Sequence, residues 1–178
     1  MVLKEFLTHE ILSLKKEEIG KIIGPDPETF RALFDHAFSR EMPVCWRATW
    51  LMDHLAEVHP WLAEGYIGII WKEIPRQHPD GVTRSALRLL SRYDIPEDFQ
   101  GIAADLCLSW LEKESVPVAI KAYSMEMLLK IASVYPELSN EFITVIEDQA
   151  PNNSAGYKAR AGYIIRAMKK LEIPKKTE

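Results

Sequence analysis

Two tryptophans and two carboxylates in the first half of the chain have types and spacing that could form a binding face. Trp46, Trp50, Asp53 and Glu57 follow one another at helical spacing, on the side opposite a stripe of apolar residues. Exposed tryptophans supply large contact areas and dominate many interfaces, and an aspartate beside them makes the group a candidate pocket. The pattern therefore predicts a binding surface that includes Trp46 and Trp50.

A second candidate face is basic. Arg84, Arg88 and Arg92 are each four residues apart, so a helix would align three guanidinium groups along one side. The sequence shows no obvious local acid partner for them, and like charges at this spacing repel each other. The stripe therefore indicates either a surface that binds an acidic partner or a solvated helix face without a function.

Motifs for catalysis or metal binding are missing from the sequence. It contains no GxSxG, no P-loop and no GxGxxG, and none of its five histidines falls in a paired metal motif. Cys45 and Cys107 lie in separate apolar stretches and are interpreted as small core residues. We therefore expect no cofactor, no metal site and no enzymatic activity.

Charge and hydropathy argue against two classes of partner, nucleic acids and membranes. The formal net charge is −4 and the pI is near 5.8, which disfavours nucleic acid as a partner because duplex binding rewards clustered positive charge. No apolar run is long enough to span a membrane, and the N-terminus does not have the unbroken apolar segment of a signal peptide. These features predict a cytoplasmic protein that binds no membrane.

The chain repeats itself. A shift of 37 residues aligns Arg47, Arg84, Lys121 and Lys158, each followed by a small residue. Prolines stand where helices should begin, since proline is tolerated in the first turn of a helix and breaks its interior. We predict eight paired helices, over about residues 27–41, 43–58, 61–76, 82–93, 97–114, 116–134, 137–149 and 154–171.

The paired helices resemble HEAT repeats, most clearly in Asp80-Gly81-Val82-Thr83-Arg84-Ser85-Ala86-Leu87 and in Val116-Pro117-Val118-Ala119-Ile120-Lys121-Ala122. The resemblance implies an all-α fold, an α-α superhelix or right-handed solenoid of about four HEAT-like hairpins with an N-terminal capping helix. It implies a single domain. The cap would cover residues 1–23, the repeats 24–60, 61–97, 98–134 and 135–171, and a polar tail 172–178.

In such a solenoid the second helices usually line the concave side, so equivalent positions form rows along it. The resemblance therefore implies a non-catalytic module that binds a protein or peptide, possibly an acidic one, through that face. The candidate binding residues are Arg84, Arg88, Arg92, Lys121, Met125, Arg166, Trp46 and Trp50. The alternative for the basic residues is structural: in HEAT proteins the basic residue at the start of the second helix commonly pairs with turn carboxylates of its own or the adjacent repeat.

Two further alternatives remain open, as does the oligomeric state. Trp46, Trp50 and Asp53 are similar to the groove residues of HEAT-like DNA alkylation-repair glycosylases, yet their row equivalents are mostly apolar, which favours tryptophans packed against a neighbouring helix. Exposed apolar residues in the last helix would instead favour a self-associating scaffold. The residues concerned are Tyr157, Ile164 and Met168.

Overall fold

The structure is a computed structural model that describes residues 3–9, 11, 16–76 and 78–171. Every regular element within these ranges is helical, as the all-α prediction requires. The predicted tail 172–178 and part of the predicted capping segment lie outside the described residues. None of the described helices is long and apolar enough to cross a bilayer.

The helices follow one another along the chain with short connections. In the ranges just given they are α1 (Leu3–Thr8), α2 (Lys16–Ile23), α3 (Pro27–Ala37), α4 (Val44–Val58), α5 (Trp61–Glu64), α6 (Ile67–Glu73), α7 (Asp80–Leu90), α8 (Glu97–Glu112), α9 (Val118–Val134), α10 (Ser139–Gln149) and α11 (Ala155–Leu171). Short 3₁₀ turns at Ile74–Arg76 and Pro136–Leu138 follow α6 and precede α10.

Helix starts are set by proline and by side-chain caps. Asp26 caps α3 by accepting a 2.8 Å hydrogen bond from the backbone N–H of Thr29, and Pro27 occupies the first turn. Pro43 and Pro117 directly precede α4 and α9. The hydroxyl of Ser154 accepts a 3.3 Å hydrogen bond from the Tyr157 N–H and so caps the start of α11.

Two predicted helices differ from the structure by more than their end residues. The predicted helix 61–76 is interrupted at Gly65 and Tyr66, where the chain turns and the Tyr66 ring packs 5.3 Å from Phe30 and 5.0 Å from Phe34. The predicted helix 27–41 ends at Ala37. Arg40 has a φ of 63°, in the left-handed region, which is incompatible with a continuing right-handed helix.

The helices form two compact units, the first ending at Arg92 and the second beginning at Tyr93. In the first unit α4 packs against α3 and α7, and α1 packs against α4. Its core includes Leu33, Leu51 and Leu87, each at most 1% exposed. The central helix α4 therefore contacts both its own pair partner and the second helix of the next pair.

In the second unit α8 pairs with α9 and α10 pairs with α11, while α9 also packs against α11. Its core contains Cys107, Leu128, Phe142 and Tyr157, which are at most 2% exposed. The Tyr157 hydroxyl donates a 3.1 Å hydrogen bond to the carbonyl oxygen of Ile146, which satisfies the polar end of a buried ring. The two pairs of the second unit are thus joined through their second helices, α9 and α11.

Candidate functional site

The candidate site lies in the first unit, along the contact between α4 and α7. A Cβ atom added to Gly81 on α7 would lie 3.4 Å from the Cβ of Trp46 on α4, so the two helices approach closely at their N-terminal ends. Further along, Arg88 meets Asp53. Gly81 and Trp46 are as far apart in the sequence as Arg88 and Asp53 are, as expected when two helices run parallel. The same register places Arg84 and Ser85 of α7 opposite Trp50.

The centre of this contact is an ionic cluster. The Arg92 Nη1 donates a 2.6 Å hydrogen bond to Oδ1 of Asp53, and the Arg88 Nε lies 3.4 Å from Oδ2 of the same carboxylate. Glu57 lies 3.4 Å from Arg88 and 4.0 Å from Arg92. Two arginines thus meet two carboxylates, and the cluster is close to neutral. The Asp53 side chain is only 1% exposed.

Burial dominates the electrostatics of Asp53. Desolvation raises the pKa of its carboxyl, and the hydrogen bond and charge of Arg92 together with the charge of Arg88 oppose that rise only in part. His54 extends the cluster, since its Nδ1 lies 3.7 Å from Asp53 and its ring lies 4.1 Å from the Trp50 ring. Among the residues that the structure describes, no group of three or more His, Cys, Asp or Glu could hold a metal ion.

The sequence shows no local acid partner for the arginine stripe, yet Arg88 and Arg92 both have acid partners in the structure. Their partners come from α4, one helical pair earlier, at a distance along the sequence that no local pattern reveals. The carboxylates come from an adjacent repeat, as the structural alternative expects, but they belong to helix α4 and not to a turn. Asp53 lies on the helix side opposite the apolar stripe, yet it is 1% exposed.

Next to the ionic cluster is a pocket of about 250 Å³, lined by Ile11, Trp46, Arg47 and Trp50. Both tryptophans are half-buried: Trp46 contacts α7 near Gly81, and both indoles still line the pocket. The interpretation as packed tryptophans and the interpretation as a binding surface therefore each describe part of these side chains. We call Trp46, Arg47 and Trp50, together with Ile11, the tryptophan pocket.

Arg47 fixes the pocket against the N-terminal helix. Its Nη1 donates hydrogen bonds of 2.9 Å to the Leu7 carbonyl oxygen and 2.7 Å to that of Thr8, at the C-terminal end of α1. These acceptors are neutral, and within the described ranges no carboxylate lies within 4.0 Å of the Arg47 guanidinium. Arg84 is exposed on α7 and likewise has no such partner there. The pocket side of the contact therefore carries positive charge.

The residues predicted for the second unit divide into buried and exposed positions. Lys121 is 2% exposed and Met125 is fully buried, because α9 is enclosed by α8 and α11, so the prediction that they line an open binding face is wrong. Arg166 is exposed on α11. Tyr157, Ile164 and Met168 are fully buried, which removes the apolar residues on which the self-association alternative depended.

Comparison with known proteins identifies the family. A model of the HEAT repeat domain family matches residues 3–168, and the chain therefore belongs to that family. The protein is a helical repeat scaffold of the kind that often mediates protein interactions. Searches among curated proteins and among solved structures found no significant match.

Proposed function

We propose that this chain is a non-catalytic adaptor that binds an acidic segment of another protein at the tryptophan pocket of the first unit. Trp46 and Trp50 would hold an apolar side chain of the partner, and Arg84 would attract a carboxylate beside it. The proposal includes a cytoplasmic location, which the two free, buried cysteines favour. A helical repeat fold does not by itself define a function, so the proposal rests on the pocket.

The observation that carries the proposal is the pocket between two half-buried tryptophans. Indoles are among the residues that contribute most to binding energy at interfaces, above all where a concave site excludes water. A volume of about 250 Å³ suits one large side chain and not an extended ligand. The rings are also held in place, since Trp46 packs on α7 and Trp50 on His54, so binding requires little ordering of the protein.

The local charge favours an acidic partner. Arg88 and Arg92 are neutralised by Asp53 and Glu57, whereas Arg47 and Arg84 face no carboxylate in the described part of the unit. A protein with a net charge of −4 repels acidic chains in general, so a local positive site would also select where such a chain binds.

The DNA alkylation-repair alternative receives no support from this geometry. That reading needs Asp53 in an open pocket beside the tryptophans, but Asp53 is 1% exposed and does not line the tryptophan pocket. Its two carboxylate oxygens face Arg92 and Arg88 instead. In this arrangement Asp53 holds two helices together.

A selection from a library of displayed peptides tests the proposal. We expect the full chain to enrich peptides that combine aspartate or glutamate with a large apolar residue. Trp50→Ala and Arg84→Glu should each weaken binding of an enriched peptide about tenfold or more, which is the usual effect of losing an interface anchor. Selection without enrichment would contradict the proposal.

Matched variants distinguish binding at the pocket from non-specific binding. Trp61 is 51% exposed on α5 and does not line the pocket, so Trp61→Ala is the control for Trp50→Ala. Arg31 is exposed on α3, so Arg31→Glu is the control for Arg84→Glu. Equal losses in a variant and its control would indicate non-specific binding and would refute the assignment of the site.

A further inference from the structure

The second unit contains a separate polar cavity at the ends of its helices. It has a volume of about 310 Å³ and lies where α8 and α10 end and where α9 and α11 begin. Its lining is almost entirely polar or charged. The residues are Glu114, Lys121, Gln149, Asn152 and Asn153. We call it the Lys121 cavity.

Lys121 is the unusual member of this lining. The residue is 2% exposed, with its aliphatic stem buried and its nitrogen open to the cavity, and in the described part of the chain the ammonium has neither a hydrogen-bond partner nor a carboxylate within 4.0 Å. Burial lowers the pKa of Lys121, and the charge of Glu114 opposes that shift only in part. The ammonium therefore has unused donor capacity where it lines the cavity.

The surrounding groups also favour a negative ligand. No side chain caps the first turn of α9, so its backbone N–H groups keep their partial positive charge near the cavity. Asn152 and Asn153 immediately precede Ser154 and α11, and the Asn153 amide is already oriented by a 2.7 Å hydrogen bond to the Gln149 carbonyl oxygen. A helix start, amide donors and an ammonium without a protein partner thus meet in one small space.

We propose that the Lys121 cavity binds a carboxylate group, which accepts hydrogen bonds from the Lys121 ammonium and from neighbouring amides. The single negative charge of a carboxylate suits the site better than a phosphate dianion, because Glu114 lines the same cavity and repels added negative charge. The small volume suits a side-chain-sized ligand. This site does not depend on the tryptophan pocket, which belongs to the first unit.

The test uses the full chain labelled with ¹³C in its lysines, titrated with propionate or with inorganic phosphate at constant ionic strength. We expect a saturable shift of the Lys121 side-chain resonance with propionate, at a concentration at least about tenfold lower than any effect of phosphate. A tripeptide with a central glutamate and its glutamine analogue distinguish the two sources of a carboxylate. A response to propionate alone would show that the cavity takes the carboxylate of a small molecule. A response to the glutamate peptide as well would show that it takes the carboxylate of a peptide side chain. Response to neither carboxylate overturns the proposal.

Variants distinguish a ligand-binding role of Lys121 from a purely structural one. Lys121→Met keeps the length of the side chain and should abolish saturation as followed at the Asn152 and Asn153 amides, whereas Lys158→Met, at the exposed equivalent position on α11, should leave it unchanged. Glu114→Gln removes the competing charge from an exposed residue, so it should tighten propionate binding about threefold without loss of folding. Unchanged affinity in Glu114→Gln, or undiminished binding in folded Lys121→Met, would refute the site.

Discussion

Arg92 of α7 donates a 2.6 Å hydrogen bond to the carboxylate of Asp53 on α4, a side chain that is 1% exposed. The bond joins the second helices of two consecutive pairs, and Arg88 contacts the other oxygen of the same carboxylate. Both oxygens of this buried carboxylate thus face arginines of α7. Trp46 and Gly81 belong to the same contact between α4 and α7, so the ionic cluster and the tryptophan pocket share one helix contact.

Removing the shorter of these contacts should destabilise the first unit. Arg92→Met keeps the aliphatic stem but leaves Asp53 with Arg88 alone, so we expect a loss of about 2 kcal/mol at pH 7, in the range for hydrogen bonds to charged groups. Urea unfolding measures it, with Arg31→Met on exposed α3 as the control. Equal stability of the two variants would show that the Arg92 contact contributes nothing.

The pH dependence of stability should report on Asp53. Burial raises its pKa above the ordinary 3.8, so the folded chain binds this proton more readily than the unfolded chain. The contribution of Asp53 to the free energy of unfolding is therefore complete below pH 3.8 and is lost as pH rises through the folded pKa. The asparagine of the Asp53→Asn variant cannot titrate. The stability of this variant relative to wild type should therefore increase as the pH rises through the folded pKa of Asp53. Parallel pH profiles for the two proteins would contradict this assignment.

Two glycines should respond in opposite directions to alanine. Gly101 is exposed in α8 and an added Cβ would meet no atom within 4 Å, so Gly101→Ala should raise the unfolding free energy by about 0.5–1 kcal/mol through helix propensity. Gly24 has a φ of +62°, which disfavours any side chain, so Gly24→Ala should lower it by about 1 kcal/mol. Denaturant titration of both variants measures these changes. Shifts of the same sign would contradict the backbone geometry.

The two thiols should be inert in the folded protein. Cys45 and Cys107 are fully buried, and burial raises the pKa of Cys107 to about 12. We expect no rapid reaction with a disulfide-exchange reagent at neutral pH and reaction of both thiols in urea. A thiol that reacts at once in the native protein would show that its surroundings are open to solvent.

Much of the fold could be predicted from the sequence because its signals are local. Proline positions set the starts of α4 and α9, and Ser154 marks the start of α11. The break at Gly65 and Tyr66 was not predicted, since the apolar periodicity continues through it. It depends on the packing of Tyr66 against Phe30 and Phe34, which are distant in the sequence.

The site was less predictable, because side-chain environments depend on neighbouring helices. One shift aligned Arg84, Lys121 and Lys158, yet Lys121 is buried while the other two are exposed. The pairing of Arg88 with Asp53 follows a register slightly shorter than that shift, set by how α4 packs on α7. Ile11 carried no signal as a pocket residue, since only tertiary packing brings it to the tryptophans.

Charge reversal on α7 separates binding from stability. Arg84→Glu alters an exposed residue that has no carboxylate partner in the described unit, so it should leave the unfolding free energy within about 0.5 kcal/mol of wild type. Arg92→Glu would place a carboxylate against buried Asp53 and should reduce stability sharply. Urea unfolding of both proteins measures the difference. A large loss in Arg84→Glu would contradict its assignment to the binding surface.

Calorimetric titration of one selected acidic peptide into the wild type, Trp50→Ala and Trp61→Ala tests the central claim most directly. The account predicts binding to the wild type and to Trp61→Ala with equal affinity, and a loss of about tenfold or more in Trp50→Ala. Full affinity in a folded Trp50→Ala protein would contradict the claim that the tryptophan pocket is the binding site.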